Sequence, residues 1–283
     1  DVCNSCWNKE EFDRGNWTWC PQHEGTEREF ECSKKITFEM VKEKIDLLRF
    51  KSLAYSTPYH GGQSWFGSFR EVIEKDVYQR HVSVGDRDYV VDLGCSLGHF
   101  YFKNKHKDIK YIGVDCVKRN LGYFSSLLTA DDNVTLINKH ISQEEKGIVK
   151  VENNDFCNGE NTESEAISFK EILKLNDRKI DFLKFDIENA EVELLHNEET
   201  YELFIKNVSK FSGELHGLDG RTEKYITNPG GAMKVLRKLK EDNRISLGIH
   251  SIDGVNITES FWHKAKENKH DYYKEIIISG EIS

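Results

Sequence analysis

An apolar strand, a glycine turn and a helix start can be read in one unbroken run, Tyr89-Val-Val-Asp-Leu-Gly-Cys-Ser-Leu-Gly-His-Phe100. Gly94 permits a tight turn after the strand, and Gly98 lets the following helix approach closely. The helix N-terminus then faces a ligand beyond the carboxyl end of the first strand. Short apolar runs continue to alternate with amphipathic stretches. Strands are expected at 89–93, 111–114, 134–138, 180–185, 211–215, 245–250 and 273–279, and helices near 100–105, 119–130, 169–173, 192–204 and 232–241. This order predicts an α/β fold: a doubly wound, mainly parallel seven-stranded sheet with helices on both faces. The last strand has no helix after it and is expected to insert antiparallel.

The 283 residues divide by composition into three parts. Residues 1–35 are a small cysteine-rich N-terminal extension, with Cys3, Cys6, Cys20 and Cys32. Residues 36–80 are expected to form a helical lid or cap, with a helix over 37–53 started by Thr37 and an aromatic, glycine-rich loop over 55–69. Residues 81–283 carry the alternating pattern, interrupted by a polar stretch at 152–165 that reads as an exposed insertion.

With 40 Lys+Arg against 49 Asp+Glu, the net charge is −9. No Lys/Arg block offers the counterion-releasing surface on which nucleic-acid affinity rests, so DNA and RNA are not expected partners. No apolar run approaches the roughly 18 residues that span a bilayer. The sequence opens on Asp1 rather than Met, so a leader or anchor can have been removed before it. Three readings of the front cysteines stay open: two disulfides stapling a Trp-rich segment, a zinc site from Cys3-x-x-Cys6 and Cys20-x-x-His23, or free buried thiols. N-glycosylation patterns at Asn16, Asn133, Asn207 and Asn256 favour disulfides and a secretory-pathway lumen, such as the Golgi, or secretion; the cytoplasm is the alternative. Cys95 and Cys116 are expected at strand-to-loop junctions. The sequence gives no reading of oligomeric state.

A dinucleotide fingerprint requires glycines at 94, 96 and 99, and this chain has Ser96 and His99 in two of those places. What remains, Asp92-x-Gly94-x-x-x-Gly98, resembles motif I of class I S-adenosylmethionine-dependent methyltransferases. That resemblance implies S-adenosylmethionine held by Asp92, Gly94, Cys95, Ser96 and Gly98. The second expected strand, Tyr111-Ile-Gly-Val-Asp115, ends in a carboxylate placed to accept from ribose hydroxyls, with Cys116 beside it. Ser142, after the third strand, is a candidate for the purine edge.

The run Ile180-Asp-Phe-Leu-Lys-Phe-Asp-Ile-Glu-Asn-Ala-Glu191 is similar to a block of the FkbM-type methyltransferases, with Asn189 where that family has glycine. The family resemblance implies O-methylation in general. Period-two alternation puts Lys184 and Asp186 on one strand face, and Glu214 and His216 share a face of the next strand. Asp186, Glu214 and His216 can converge where the strand tips meet. They then serve either as ligands of Mn²⁺ or Mg²⁺, or as a metal-free group with His216 as general base; a histidine that is merely hydrogen-bonded to a carboxylate is the structural alternative. Lys184 is grouped with these catalytic candidates. Glu191 is read as either part of the acidic cluster or a complement to a helix start. Tyr59, His60, Gln63 and Trp65 of the aromatic loop, with Glu188, are candidate acceptor contacts, because aromatic faces interspersed with amides and hydroxyls suit sugars; a helix-to-helix connection packed on the core fits the loop's composition equally. The expected function is O-methylation of a sugar or glycan hydroxyl. A lipid or polyketide O-methyltransferase, a non-catalytic glycan-binding module on the same fold and a nicotinamide oxidoreductase are the alternatives.

Overall fold

The computed structural model describes residues 20, 22–38, 40–42, 44–45, 48, 68–130, 132–143, 147–151, 162–187, 190–218, 231–253, 255–266 and 275–283. The chain forms two compact units, Asp1–Thr57 and Pro58–Ser283. In the first, a short helix spans Glu31–Lys34, and Thr37 Oγ1 accepts from the Met40 N–H at 3.2 Å, capping the next helix where the sequence predicts a start. The described residues from 38 to 48 are helical. Cys20 is buried and its Sγ accepts from the Phe30 N–H at 3.5 Å. None of Cys20, Cys32, Cys95 and Cys116 is in a disulfide; Cys3, Cys6 and Cys157 lie outside the described residues.

Among the described residues the second unit has ten strands: β1 (Tyr89–Leu93), β2 (Lys110–Asp115), β3 (Val134–Asn138), β4 (His140–Ile141), β5 (Ile148–Val151), β6 (Thr162–Ile167), β7 (Ile180–Phe185), β8 (Val208–His216), β9 (Ile245–His250) and β10 (Glu275–Ile282). Seven of them form one sheet in the order β3-β2-β1-β7-β8-β10-β9. Pairing is parallel from β3 to β8, and β10 is antiparallel to both β8 and β9. The expected doubly wound sheet with an antiparallel last strand is the observed one. Strand β1 runs Tyr-Val-Val-Asp-Leu with every residue buried, as a central strand covered on both faces requires. The order reverses between β1 and β7, so the crevice in which such sheets bind ligands lies over the carboxyl ends of these two strands.

Differences from the sequence reading have local causes. The stretch expected as one helix over 192–204 is two, Ala190–His196 and Glu198–Asn207, because Asn197 leaves the helical region and accepts from the Thr200 N–H at 3.0 Å as an N-cap. The end of the polar stretch at 162–165 is not an exposed insertion but part of β6, paired with β5 and β4 in a small second sheet. A helix at Thr258–Lys266 had no sequence counterpart. The expected cap at 36–80 is divided between the two units. Its last part, a π-helical turn Arg70–Lys75 and a tight turn Val77–Gln79 broken at Asp76 (φ 54°), belongs to the second unit, where Val72, Ile73, Val77 and Tyr78 are buried. Among the described residues no helix is long and apolar enough to cross a membrane. Of the glycosylation patterns, Asn256 is exposed, whereas the Asn207 amide donates to the Leu203 carbonyl at 2.7 Å.

Candidate active site

The glycine turn after β1 is fixed from below by β2 and from the side by β7. The N–H groups of Gly94 and Cys95 both donate to the Val114 carbonyl, at 2.8 and 3.1 Å. Gly94 has φ +78°, and a Cβ there would lie 1.8 Å from the Asp186 carbonyl oxygen; Gly98 has φ +81°, and a Cβ there would lie 2.5 Å from the Phe124 ring. Both glycines are therefore demanded by backbone conformation and by close approach of neighbouring elements. Ser96 takes φ 47°, and its N–H donates to Asp115 Oδ2 at 2.9 Å while the Val117 N–H donates to Oδ1 at 2.7 Å. Burial outweighs these two donors and raises the Asp115 pKa to about 6, so the carboxylate is ionised at neutral pH with further lone pairs to offer.

Two residues expected to touch a cofactor, Asp92 and Cys95, lie beneath the surface. Asp92 is fully buried and accepts from the Tyr111 hydroxyl and from Lys184, at 3.1 Å for the latter; it anchors neighbouring side chains and has no surface for a ligand. Cys95 is buried with its Sγ against Gly113, where a Cβ would approach it to 2.8 Å, and so acts as core. Cys116 is half-buried, and its carbonyl accepts from the Asn138 amide at 3.0 Å. Ser142 lines a cavity of about 200 Å³ with Gln143, Phe169, Ala190, Glu193 and Thr200, none of them part of the glycine turn.

Lys184 joins the turn to the acidic cluster. Its ammonium donates to the Gly94 carbonyl at 2.8 Å, pairs with Asp92 at 3.1 Å and lies 3.8 Å from Asp186. Burial pulls its pKa down, but Asp92 and Asp186 more than offset this and hold it up at about 12. Lys184 is thus a permanent cation, not a base.

Asp186, just beyond β7, and Glu214 and His216, on β8, come together as the two-residue alternation predicts, with one ligand-type atom from each inside a 4.8 Å span. Two further residues complete the group: Glu191, which the sequence leaves between the acidic cluster and a helix start, and Tyr78, which it does not assign. Glu191 is fully buried, and its Oε1 accepts from both the backbone N–H and the ring Nδ1 of His216, at 2.9 and 2.6 Å. With Nδ1 carrying the proton toward Glu191, the Nε2 lone pair faces Glu214 Oε2 at 3.3 Å. Tyr78, from the turn Val77–Gln79, places its hydroxyl 3.0 Å from Asp186 Oδ2 and 3.1 Å from Glu214 Oε1. Burial, then the charges of Asp186 and Glu214, push the phenol pKa well up and keep it a donor. Glu191 was visible in the acidic block; Tyr78 stands more than a hundred residues from its partners with no spacing to mark it. Tyr59, His60, Gln63, Trp65 and Glu188 lie outside the described residues.

No protein-family model matches the chain. Among curated proteins, the autotransporter heptosyltransferase Aah of Escherichia coli is 46% identical over 41 residues, which is 14% of this chain and 10% of that protein. The inactive autotransporter heptosyltransferase BimC of Burkholderia thailandensis is 44% identical over 46 residues, 16% of this chain and 11% of that protein. The chain thus spans about a tenth of the length of these relatives. Among solved structures, the fibrillarin/Nop5p complex aligns with TM-score 0.44 at 12% identity over 76% of this chain and 82% of that one. The plantazolicin methyltransferase BamL, bound to S-adenosylhomocysteine, aligns with TM-score 0.40 at 15% identity over 87% and 99%. An O-methyltransferase from Bacillus cereus, also with S-adenosylhomocysteine, aligns with TM-score 0.41 at 10% identity over 86% and 91%.

Proposed function

We propose that the chain is an S-adenosylmethionine-dependent O-methyltransferase whose acceptor is a sugar hydroxyl. The observation that carries this reading is the contact between the glycine turn and the acidic cluster: Gly94 sits against the Asp186 carbonyl, so a ligand over the turn and one over Asp186, Glu214 and His216 are neighbours. The turn fits the cofactor, because Asp115 keeps acceptor capacity for ribose hydroxyls after its two backbone donors, while Ser96 and His99 replace glycines that a pyrophosphate would need.

When bound, S-adenosylmethionine supplies a sulfonium methyl to the acceptor oxygen, the C–S bond breaking as the C–O bond forms and leaving neutral S-adenosylhomocysteine. The chain's own part is alignment and removal of the hydroxyl proton. An alcohol is about as weak an acid as water, so a prepared proton acceptor matters. Glu214 Oε2 and His216 Nε2 are two acceptors that face each other across 3.3 Å, an arrangement that gains from a proton placed between them. Asp186 accepts from the same hydroxyl before the proton leaves. Two carboxylate oxygens and an imidazole nitrogen within 4.8 Å also suit Mn²⁺ or Mg²⁺, which there would lower the hydroxyl pKa.

Sugar as the acceptor class is supported by the alternation of aromatic, hydroxyl and amide side chains in Tyr55–Phe66, and by the short stretch shared with proteins named heptosyltransferases. The test is a transfer assay with radiolabelled methyl donor over a panel of mono- and oligosaccharides, lipids and polyketide alcohols, with and without chelator. Label in a sugar, reduced tenfold or more but still measurable in Glu214→Gln, supports the reading. Label confined to lipid or polyketide alcohols removes the sugar assignment, and no transfer to any alcohol removes the reading altogether.

A further inference from the structure

Tyr78 is 2% exposed and is the residue through which the segment ahead of the sheet reaches the strand tips. Its ring is held edge-on by Phe100, with centroids 6.2 Å apart at 84°, and the Lys184 ammonium lies 5.2 Å from its centroid. Its hydroxyl has one proton and two carboxylate neighbours, one just beyond β7 and one on β8: Asp186 Oδ2 at 3.0 Å and Glu214 Oε1 at 3.1 Å. Two carboxylates this close repel. The phenol opposes that, because a single donor shared by both holds them together. It bonds Glu214 through Oε1, which leaves Oε2 turned to His216 Nε2.

We propose that Tyr78 is a positioning residue of the acceptor site, its hydroxyl holding Asp186 and Glu214 side by side so that Glu214 Oε2 stays on His216 and the acceptor hydroxyl meets both carboxylates at once. The proposal rests on the methyltransferase reading above and deepens it: the turn Val77–Gln79 is part of the catalytic architecture and not only a cover for the sheet. The proton of the acceptor goes to the Glu214–His216 pair, and Tyr78 keeps its own throughout.

Tyr78→Phe keeps the ring, its contact with Phe100 and its place beside Lys184, and removes only the hydroxyl. The expected result is a fall in kcat of tenfold or more, with acceptor KM and S-adenosylmethionine affinity within twofold of the parent. In a Glu214→Gln background the same change is expected to alter kcat less than twofold, because the group it positions has already lost its function. A purely structural role would move KM and kcat together and cost the same in both backgrounds, and that result overturns the proposal, as does a Tyr78→Phe kcat within twofold of the parent. Independently of activity and of the variant's folding, the parent protein is expected to show a slowly exchanging, downfield hydroxyl proton in its NMR spectrum that moves in both Asp186→Asn and Glu214→Gln. Its absence overturns the positioning role, whereas a parent that shows it but binds no S-adenosylmethionine overturns the methyltransferase reading itself.

Discussion

One oxygen of Glu191 holds His216 at two points: Oε1 accepts from the His216 backbone N–H at 2.9 Å and from its ring Nδ1 at 2.6 Å, and both side chains are buried. The double contact fixes the ring's tautomer and its rotation together, which is what a group that must present Nε2 to Glu214 needs. Glu191→Leu leaves both donors without a partner, at about 1–3 kcal/mol for each orphaned group, so urea denaturation is expected to report a loss of about 2 kcal/mol or more. Methyl transfer should fall by at least tenfold. Glu191→Gln, which retains an acceptor oxygen, should recover most of the stability.

Lys184 is expected to matter more to folding than to chemistry. Lys184→Met strips Asp92, which is fully buried, of its cation, and breaking a buried pair in this way costs about 3–5 kcal/mol. Denaturant titration should show that loss, and the double variant Lys184→Met/Asp92→Asn should regain a good part of it because no buried charge is then left alone. A Lys184→Met protein as stable as the parent would mean that the pair is not formed in solution.

Much of this fold was legible because its strands carry their own labels. Strands β3, β7 and β9 were bounded residue for residue by apolar runs between turn signals, and Gly94 and Gly98 marked the turn because only glycine serves there. Asp186, Glu214 and His216 were found by alternation, which fixes a face without any knowledge of the partner strand. What alternation cannot tell is depth. Asp92 and Cys95 lie in the motif but beneath the surface, so both are anchors and not contacts. Tyr78 was hidden for the opposite reason: it reaches the cluster through a tertiary crossing from a turn whose own sequence is ordinary. Strand β6 is hidden in the sequence because the polar residues at its start read as the end of an insertion.

Two glycines make a paired test of close approach. Gly94→Ala forces a methyl group to within 1.8 Å of a carbonyl oxygen at a positive φ, and should prevent stable folding. Gly122, in the helix Lys118–Ser126, has open space around it, and Gly122→Ala should stabilise by roughly 0.5–1 kcal/mol through helix propensity and a less flexible unfolded chain. Thermal melts of the two variants report both outcomes.

Acid should destabilise the protein through His99. Burial, and then the nearby Lys184 charge, lower its pKa from 6.5 to about 3, so the folded state keeps the ring neutral while the unfolded state takes up a proton. With more protons bound when unfolded, stability rises with pH across the window from about 3 to 6.5, is complete above it and is lost as pH falls through it. His99→Phe should show a shallower loss over the same window when urea midpoints are measured between pH 4.5 and pH 7.5 (roughly the lower and upper ends of the usable range). An identical slope in both proteins would assign the acid sensitivity to other groups.

Under the proposed function a methyl donor lies over the Gly94 turn with Asp115 on its ribose, beside the Asp186–Glu214–His216 group. Isothermal titration of S-adenosylmethionine into the parent protein, Asp115→Ala and Glu214→Gln tests it directly. Saturable binding at one site per chain, weakened tenfold or more by Asp115→Ala and changed less than twofold by Glu214→Gln, is the predicted outcome. No binding to the folded parent protein, or binding that Asp115→Ala leaves intact, contradicts it.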